Sequence, residues 1–219
     1  MSTVPGAPET SPPRVICFDL GGVIVRICRS FREGCAAAGV SAPDDVDTSF
    51  DRHALAALVL RHQVGALEDD AFHDGVSALF DRRLSARELR RVHDAWILGE
   101  YEGVAEVIDA IHAAGVETAC LSNTNDTHWR SMHGLRAFDA IRHRHASHLL
   151  GLCKPDPAIF RAFEARTGFA PESIVFFDDL IENVLAAGNA GWRAELVDPA
   201  RATAPQIRKA LVRHGVVRP

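Results

Sequence analysis

The sequence predicts an α/β protein: a doubly wound parallel sheet whose chain is interrupted once by an inserted helical segment. Short apolar runs rich in β-branched residues alternate with helical patterns through the C-terminal half. The stretch after the first such run has apolar residues at helical spacing only. Strands that alternate with helices indicate a parallel sheet covered on both faces. Ligands of such sheets bind at the carboxyl ends of the strands, where we therefore expect the functional site.

The first predicted strand follows a Pro-rich start. Residues 1–13 contain no cationic start and no apolar stretch, so we expect a short disordered tail and neither a signal peptide nor an anchor. The run Arg14–Asp19 is apolar and closes in Gly21-Gly22, which is typical of a buried strand that ends in a tight turn.

A helical insert comes next. Residues 25–98 have apolar positions at helical spacing, glycine and proline breakers, and a capping box formed by Ser85 and Glu88. We therefore predict a helical cap domain at 25–98 and a core domain made of 14–24 and 99–219. Within the core we expect further helices at 104–114, 126–135, 157–167 and 182–190, and further strands at 117–122, 141–147, 174–178 and 194–197.

Polar side chains follow three of these predicted strands. Asp19 ends the first strand, Ser122 the next, and Asp178-Asp179 a third, while Lys154 precedes the helix at 157–167. Carboxylates that point together repel one another unless a cation lies between them. Oxygen ligands favour Mg²⁺, and Mg²⁺ in turn favours a phosphate. A hydroxyl, loop amides and an ammonium could then hold the phosphate while an aspartate attacks phosphorus.

Four motifs carry a family resemblance. The sequence resembles the haloacid dehalogenase-like (HAD) hydrolases in Phe18-Asp-Leu-Gly-Gly-Val23, in Leu121-Ser-Asn-Thr-Asn125, in the segment 151–160, and in Val175-Phe-Phe-Asp-Asp179 with Asn183 and Gly188. It is most similar to the branch that includes the bacterial α-D-glucose 1-phosphate phosphatases. The resemblance implies a Rossmann-like core with a cap that closes over the site, and a Mg²⁺-dependent phosphatase of a small phosphorylated metabolite, such as a sugar phosphate.

The resemblance also implies a role for each motif residue. Asp19 would be the nucleophile that forms an aspartyl-phosphate and would also bind Mg²⁺, with Lys154 neutralising the charge. The backbone carbonyl of Gly21 and the side chains of Asp178 and Asp179 would also bind the metal. The phosphate would be bound by Ser122, Asn123, Gly22 and Lys154. Asn183 would support the site.

Gly21 departs from the usual family pattern. Most phosphatases of the superfamily have an aspartate there as the general acid, whose contribution is typically about 10²–10⁴-fold in rate. A sugar 1-phosphate would suit this loss, because an anomeric oxygen is a better leaving group than an ordinary alkoxide. Alternatively, a histidine of the cap segment could deliver the proton: His53, His62, His73 or His93.

Other histidines are weaker candidates. The run Arg142–His148 is expected on a strand whose alternate residues face opposite sides, so we predict no metal site there. His128 and Trp129 follow the serine loop, where they could touch substrate or pack a helix.

Two other functions stay open. The 2-haloacid dehalogenases of the superfamily also lack the second aspartate and need no metal, although the pair Asp178-Asp179 argues against them. A non-catalytic module would keep phosphate binding without turnover, although the retained Asp19, Ser122 and Lys154 argue against it.

Composition bears on partners and location. The 24 Lys and Arg against 29 Asp and Glu give a net charge of −5, so we expect neither a nucleic-acid nor a membrane partner. The odd count of 5 cysteines, with no CxxC pair, favours a reducing cytoplasm. We expect a monomer or a homodimer.

Overall fold

The computed structural model describes residues 12–218, so the tail predicted for residues 1–13 lies outside the described residues except for Pro12 and Pro13. Five parallel strands form the central sheet in the order β5-β4-β1-β6-β7. Their bounds are β1 Val15–Phe18, β4 Glu117–Ser122, β5 His143–Ala146, β6 Ile174–Asp178 and β7 Arg193–Leu196. The other two strands, β2 Val25–Ile27 and β3 Ile97–Glu100, pair antiparallel in a separate ribbon.

Eleven α-helices occur in the described part of the chain. Their bounds are α1 Phe31–Ala38, α2 Arg52–Gln63, α3 Asp69–Leu79, α4 Ala86–Asp94, α5 Val104–Ala113, α6 Asp126–Ser131, α7 Arg136–Ala140, α8 Ser147–Leu150, α9 Pro157–Thr167, α10 Ile181–Asn189 and α11 Thr203–Arg213.

Helices cover both faces of the sheet because successive side chains of a strand point to opposite faces. Ile16 and Phe18 pack into a cluster with α5, α7 and α11, while Val15 and Cys17 pack with α9 and α10 on the other face. Phe18 stacks on Phe177 of the neighbouring strand at 5.5 Å between ring centroids. This confirms the predicted doubly wound α/β fold.

The segment between β2 and β3 contains α1 to α4 and has a hydrophobic cluster of its own. Phe80 lies at its centre, with edge-to-face contacts to Phe31 at 5.0 Å and to Phe50 at 5.2 Å. The helices match the pattern predicted for residues 25–98, whose role as a cap domain stays a prediction. The ribbon was not predicted, because β2 has three residues and Gly99 interrupts β3, which leaves no alternating pattern.

Some helices of the core differ from the sequence-based expectation. The helix expected at 126–135 ends at Ser131, and Gly134, with a φ of 94°, lies between it and a separate helix, α7, that begins at Arg136. Helix α11 was not predicted, although the buried Ile207, Ala210 and Leu211 have helical spacing. Among the described residues, no helix is both long and apolar enough to cross a membrane.

We predict that Phe80→Ala lowers the free energy of unfolding by about 3–5 kcal/mol, because it leaves a cavity among aromatic rings. Urea unfolding followed by circular dichroism measures the loss. The control is Leu60→Ala on α2, where the side chain is 52% exposed, and we expect a change within about 0.5 kcal/mol. Equal losses for the two variants would contradict the packing described above.

Candidate active site

Three neighbouring strands bring their polar ends together. Asp19 follows β1 directly, Ser122 is the last residue of β4, and Asp178 is the last residue of β6. Strand β1 lies between β4 and β6 in the sheet, and all three run in the same direction. The structure therefore places these side chains at one edge of the sheet, as the sequence predicted.

Lys154 joins the carboxylates of two of these strands. Its Nζ lies 3.0 Å from Asp19 Oδ1 and 2.6 Å from Asp178 Oδ2. The lysine side chain is fully buried and also lies 5.1 Å above the ring of Phe176. Removing an ammonium from water is costly unless it is paired, and here two carboxylates pair with it.

Asn123 positions the lysine from the end of β4. Its Nδ2 donates to the carbonyl oxygen of Lys154 at 2.8 Å, and the backbone N–H of Lys154 donates to Asn123 Oδ1 at 2.8 Å. The side chain thus ties the loop before α9 to the strand end. This contact is additional to the phosphate contact predicted for Asn123, which stays a prediction.

Asp178 has most of its hydrogen-bonding capacity filled by its own surroundings. Its Oδ1 accepts from the backbone N–H of Leu180 at 2.9 Å. Asn183 Nδ2 lies 3.1 Å from each carboxylate oxygen, from the first turn of α10. Asn183 thus contacts both oxygens of the Asp178 carboxylate, and its predicted role in support of the site stays a prediction.

Asp179 pairs with a residue from the start of the helical segment. Arg29 Nη1 donates to Asp179 Oδ2 at 2.9 Å. Gly22 lies against this pair with a φ of 84°, and a Cβ built there would collide with both side chains. A glycine is therefore required at position 22 for its conformation and for space.

Burial and neighbouring charges shift the pKa values of the site. Burial raises the pKa of Asp19 to about 6, against the opposing effect of the Lys154 ammonium. Burial also raises the pKa of Asp179, and Arg29 opposes that shift. For Lys154, burial favours the neutral form, but Asp19 and Asp178 outweigh it and raise the pKa. The lysine therefore stays charged at neutral pH.

The acidic residues fit a divalent cation. Asp19, Asp178 and Asp179 each offer a carboxylate oxygen, and these atoms lie within 4.8 Å of one another. Asp19 Oδ1 is buried and accepts no hydrogen bond among the described residues, although Lys154 lies near it. A donor set made only of oxygens suits Mg²⁺ better than Zn²⁺.

Ser122 and Gly21 lie where a cavity opens over the strand ends. Both line it, and Ser122 is buried. A Cβ built on Gly21 would lie 3.1 Å from Cδ1 of Ile27, a residue of β2. The space that an acidic side chain would need at position 21 is therefore partly taken by the ribbon.

The other sequence candidates fall in different places. His62, His73 and His93 line the same cavity, whereas His53 is exposed on α2. His145, in the run Arg142–His148, packs against a phenylalanine of α9. In the described part of the chain, the three aspartates are the only group of at least three acidic, histidine or cysteine residues placed to share a metal.

Sequence reasoning missed two residues. Arg29 reaches Asp179 across 150 positions of the chain, and no pattern near it indicates a site. Asn125 belongs to the Leu-Ser-Asn-Thr-Asn motif but had no predicted role, and its Nδ2 contacts rings of His93 and His128. Its place in a site motif was the signal that could have found it.

Relatives with curated names match parts of this chain. A Mycobacterium tuberculosis phosphatase is 38% identical over 73 residues, which are 33% of this chain and 30% of that protein. Mouse acyl-CoA dehydrogenase family member 10 is 30% identical over 117 residues, 51% of this chain and 10% of that protein. The chain thus spans less than a third of the length of each of these two proteins. Phosphoglycolate phosphatase 1 of Pseudomonas aeruginosa is 26% identical over 195 residues, 84% of this chain and 69% of that protein.

Solved structures share the fold over most of the chain. A HAD-like hydrolase from Porphyromonas gingivalis has a TM-score of 0.72 at 25% identity, covering 92% of this chain and 98% of that chain. A Bacteroides thetaiotaomicron HAD enzyme, solved with magnesium and inorganic phosphate, has a TM-score of 0.72 at 19% identity, with coverage of 90% and 100%. The L-2-haloacid dehalogenase of Xanthobacter autotrophicus has a TM-score of 0.63 at 17% identity, with coverage of 94% and 85%.

The family match covers most of the chain as well. Residues 13–191 match the haloacid dehalogenase-like hydrolase family, and this range includes all four motifs and the helical segment. Together with the parallel sheet and its strand-end residues, this match shows that the chain belongs to the haloacid dehalogenase-like hydrolases.

Proposed function

We propose that this hydrolase is a Mg²⁺-dependent phosphatase that removes phosphate from a small phosphorylated metabolite. The observation that carries the proposal is the buried Lys154 ammonium between Asp19 and Asp178, with Asp179 close enough to share a cation. Such a site can balance the charge of a phosphate. The phosphatases among the relatives, and the HAD enzyme solved with magnesium and phosphate, support it.

The proposed reaction has two displacements on phosphorus. Asp19 attacks the phosphorus, the bond to the leaving oxygen breaks, and a water gives that oxygen a proton and becomes hydroxide. A second water then attacks the phosphorus of the aspartyl-phosphate and gives a proton to that hydroxide. The bond between Asp19 and phosphorus breaks, which releases inorganic phosphate and restores Asp19. Mg²⁺, held by Asp19, Asp178, Asp179 and the Gly21 carbonyl, would offset the charge on the phosphoryl oxygens.

Other residues hold the phosphoryl group in this scheme. Ser122 donates its hydroxyl, the backbone amides near Asn123 and Gly22 donate beside it, and Lys154 offsets the charge that develops on the group. Asn123 and Asn183 have no direct part in the displacement. They keep Lys154 and the Asp178 carboxylate in place through the hydrogen bonds described above.

The choice of a sugar 1-phosphate, and with it the glucose 1-phosphate branch, is a finer prediction. It rests on the motif resemblance and on Gly21, which provides no acid for the leaving oxygen. The relatives do not test it.

A dehalogenase is the second candidate, because dehalogenases share the fold and this chain lacks the acid at position 21. The acidic pair at the end of β6 favours the phosphatase, since a metal-free displacement on carbon has no use for it.

We also propose a reducing cytoplasmic location, which is supported by the free and buried state of Cys17, Cys28, Cys35, Cys120 and Cys153. The choice between monomer and homodimer stays a prediction.

We predict that Asp19→Asn lowers phosphate release from wild-type levels by at least about 10³-fold, because the amide cannot attack phosphorus. EDTA should also abolish release, and Mg²⁺ should restore it. Phosphate release is measured with acetyl phosphate and p-nitrophenyl phosphate as substrates. Halide release from 2-chloropropionate tests the dehalogenase alternative. The exposed Asp74→Asn on α3 is the matched control and should keep the wild-type rate. Release that persists in EDTA, or halide release without metal, would contradict the phosphatase.

We predict that Gly21→Asp raises the rate on alkyl phosphates only when Ile27 is shortened as well. Ile27→Val deletes the Cδ1 atom that a Cβ at position 21 would approach at 3.1 Å. The new acid could then protonate a poor leaving group, a contribution of about 10²–10⁴-fold. The comparison uses kcat on an alkyl phosphate for both single variants and the double variant. A single Gly21→Asp variant as fast as the double variant would show that Ile27 does not limit this position.

A further inference from the structure

The helices α1 to α4 are joined to the core beside the motif Leu121–Asn125. In the described part of the chain, the hydrogen bonds between these helices and the core are Asn125 Nδ2 to His93 Nε2, His128 Nε2 to His93 O, Thr127 Oγ1 to Asp69 Oδ2, and Ser147 Oγ to Gln63 O. All but the last involve the first turn of α6 or its N-cap residue, Asn125. Asn125 belongs to the same motif as Ser122, so the contact lies directly after the predicted phosphate loop.

Asn125 fixes the protonation of the two imidazoles that it touches. Its Oδ1 accepts from the backbone N–H of His128 at 2.9 Å, so its Nδ2 is the donor end. The two hydrogens of Nδ2 can each be donated to one ring nitrogen, to His93 Nε2 at 3.1 Å and to His128 Nδ1 at 3.2 Å. A ring nitrogen that accepts a hydrogen bond has no proton, so both imidazoles are neutral in this arrangement.

A second contact requires the same state of His128. Its Nε2 lies 2.8 Å from the backbone carbonyl oxygen of His93, which can only accept, so Nε2 holds the ring proton. A further proton on Nδ1 would point at the Nδ2 donor of Asn125. The rings of His93 and His128 also stack, with their centroids 4.0 Å apart, so two charged rings would repel each other. A charged imidazole is therefore incompatible with the contacts that join α4 to α6.

The groups around the two rings, among the described residues, leave no carboxylate free to pair with such a charge. The titratable groups that face the rings are His62 on α2, Asp69 and His73 on α3, and Asp94 on α4. Asp94 is exposed. Both oxygens of Asp69 are occupied, one by Thr127 Oγ1 at 2.5 Å and the other by His62 Nε2 at 2.7 Å.

The pKa values agree with this geometry. Burial lowers the pKa of His93 to about 2, and the neighbouring imidazoles lower it further. Burial also lowers the pKa of His128, although its hydrogen bond to His93 opposes the shift. Burial would raise the pKa of Asp69, but the hydrogen bonds from Thr127 and His62 outweigh it and lower the pKa to about 2.

The sign of the pH dependence follows from these directions. We call the helices docked when they make the contacts with α6. Both rings would return toward the ordinary imidazole pKa of about 6.5 on undocking, so the docked state binds fewer protons. Its stability is complete above about pH 6.5 and is lost progressively at lower pH. Asp69 contributes a change only below about pH 4, where a free aspartate takes up its proton.

We propose that Asn125 is a positioning residue that docks α2 to α4 on the core only while His93 and His128 are neutral, so that acidification releases these helices from the phosphate loop. The inference rests on the proposed phosphatase function in that Ser122 and Asn123, in the same motif, bind the phosphate. It gives that site a pH-dependent control. Asn125 acts through the two histidines and takes no part in the displacement on phosphorus.

The first test follows the protonation of the rings. Asn125→Asp keeps the N-cap of α6, because a carboxylate oxygen can accept from the His128 N–H, but it replaces the amide donor by acceptors. NMR titration of isotope-labelled histidines, assigned with His93→Gln and His128→Gln, measures the pKa values. Both should lie below about 6.5 in the wild type. Asn125→Asp should raise the pKa of His128 by at least about one unit, since a neighbouring carboxylate favours the charged ring.

The second test follows docking by amide hydrogen exchange of α4 and α6 at pH 7 and pH 5, corrected for intrinsic exchange. The opening constant of these helices in the wild type should rise at least about tenfold at pH 5, because undocked rings take up protons. It should rise less in Asn125→Asp, where docking no longer requires a neutral His128. The matched control is Asn189→Asp, at an exposed position of α10, which should behave like the wild type in both tests.

Either of two results would overturn the role of Asn125. One is a wild-type ring of His93 or His128 that titrates at about 6.5 or above while the helices stay docked. The other is an opening constant that is equal at the two pH values, or that changes equally in the wild type and in Asn125→Asp.

A third measurement separates this inference from the function beneath it. Mg²⁺ and inorganic phosphate, at about ten times the Kd of phosphate, should lower the wild-type opening constant at pH 7 about tenfold if phosphate binds only the docked state. Phosphate release from acetyl phosphate without any such change in exchange would overturn the link between docking and the site. An absence of release from acetyl phosphate would overturn the phosphatase, whereas the pH dependence of docking is decided by the first two tests.

Discussion

The repulsion among three buried carboxylates is the constraint on which the rest of the site depends. Asp19, Asp178 and Asp179 approach one another within 4.8 Å, and a protein tolerates such a group only with cations among them. Lys154 supplies one charge and Arg29 another. Asn123 holds Lys154 in place and Asn183 holds the Asp178 carboxylate in place. These hydrogen bonds are important because separating the Lys154–Asp178 ion pair would leave buried charges unpaired, which is costly.

The two ends of the cavity differ in chemistry. The end at the strands is polar, with Ser122 and Asn123 in its lining, whereas the walls under the helices are mainly apolar. Ribbon β2–β3 links the two ends, since Ile27 lies against Gly21 and the nearby Arg29 reaches Asp179. Gly22 must remain a glycine because this link passes directly over it.

Local patterns were sufficient for the sheet and for most of the acidic site. Strands β1, β4 and β6 are fully or nearly fully buried runs, and parallel strands carry their final residues to one edge, so Asp19, Ser122 and Asp178 could be placed from the sequence. The Arg29–Asp179 pair could not, because it depends on how two distant segments pack. The same holds for His93 and Asn125, which are 32 positions apart. The short ribbon strands offered no periodicity to recognise.

The central claim is that the three aspartates form a cation site, and calorimetric titration of Mg²⁺ tests it most directly. The wild-type chain is predicted to bind one ion, and Asp178→Asn is predicted to weaken that binding at least about tenfold, which corresponds to about 1.4 kcal/mol. The exposed Asp74→Asn serves as the control and should bind like the wild type. Binding that is absent in the wild type, or equal in wild type and Asp178→Asn, would contradict the account.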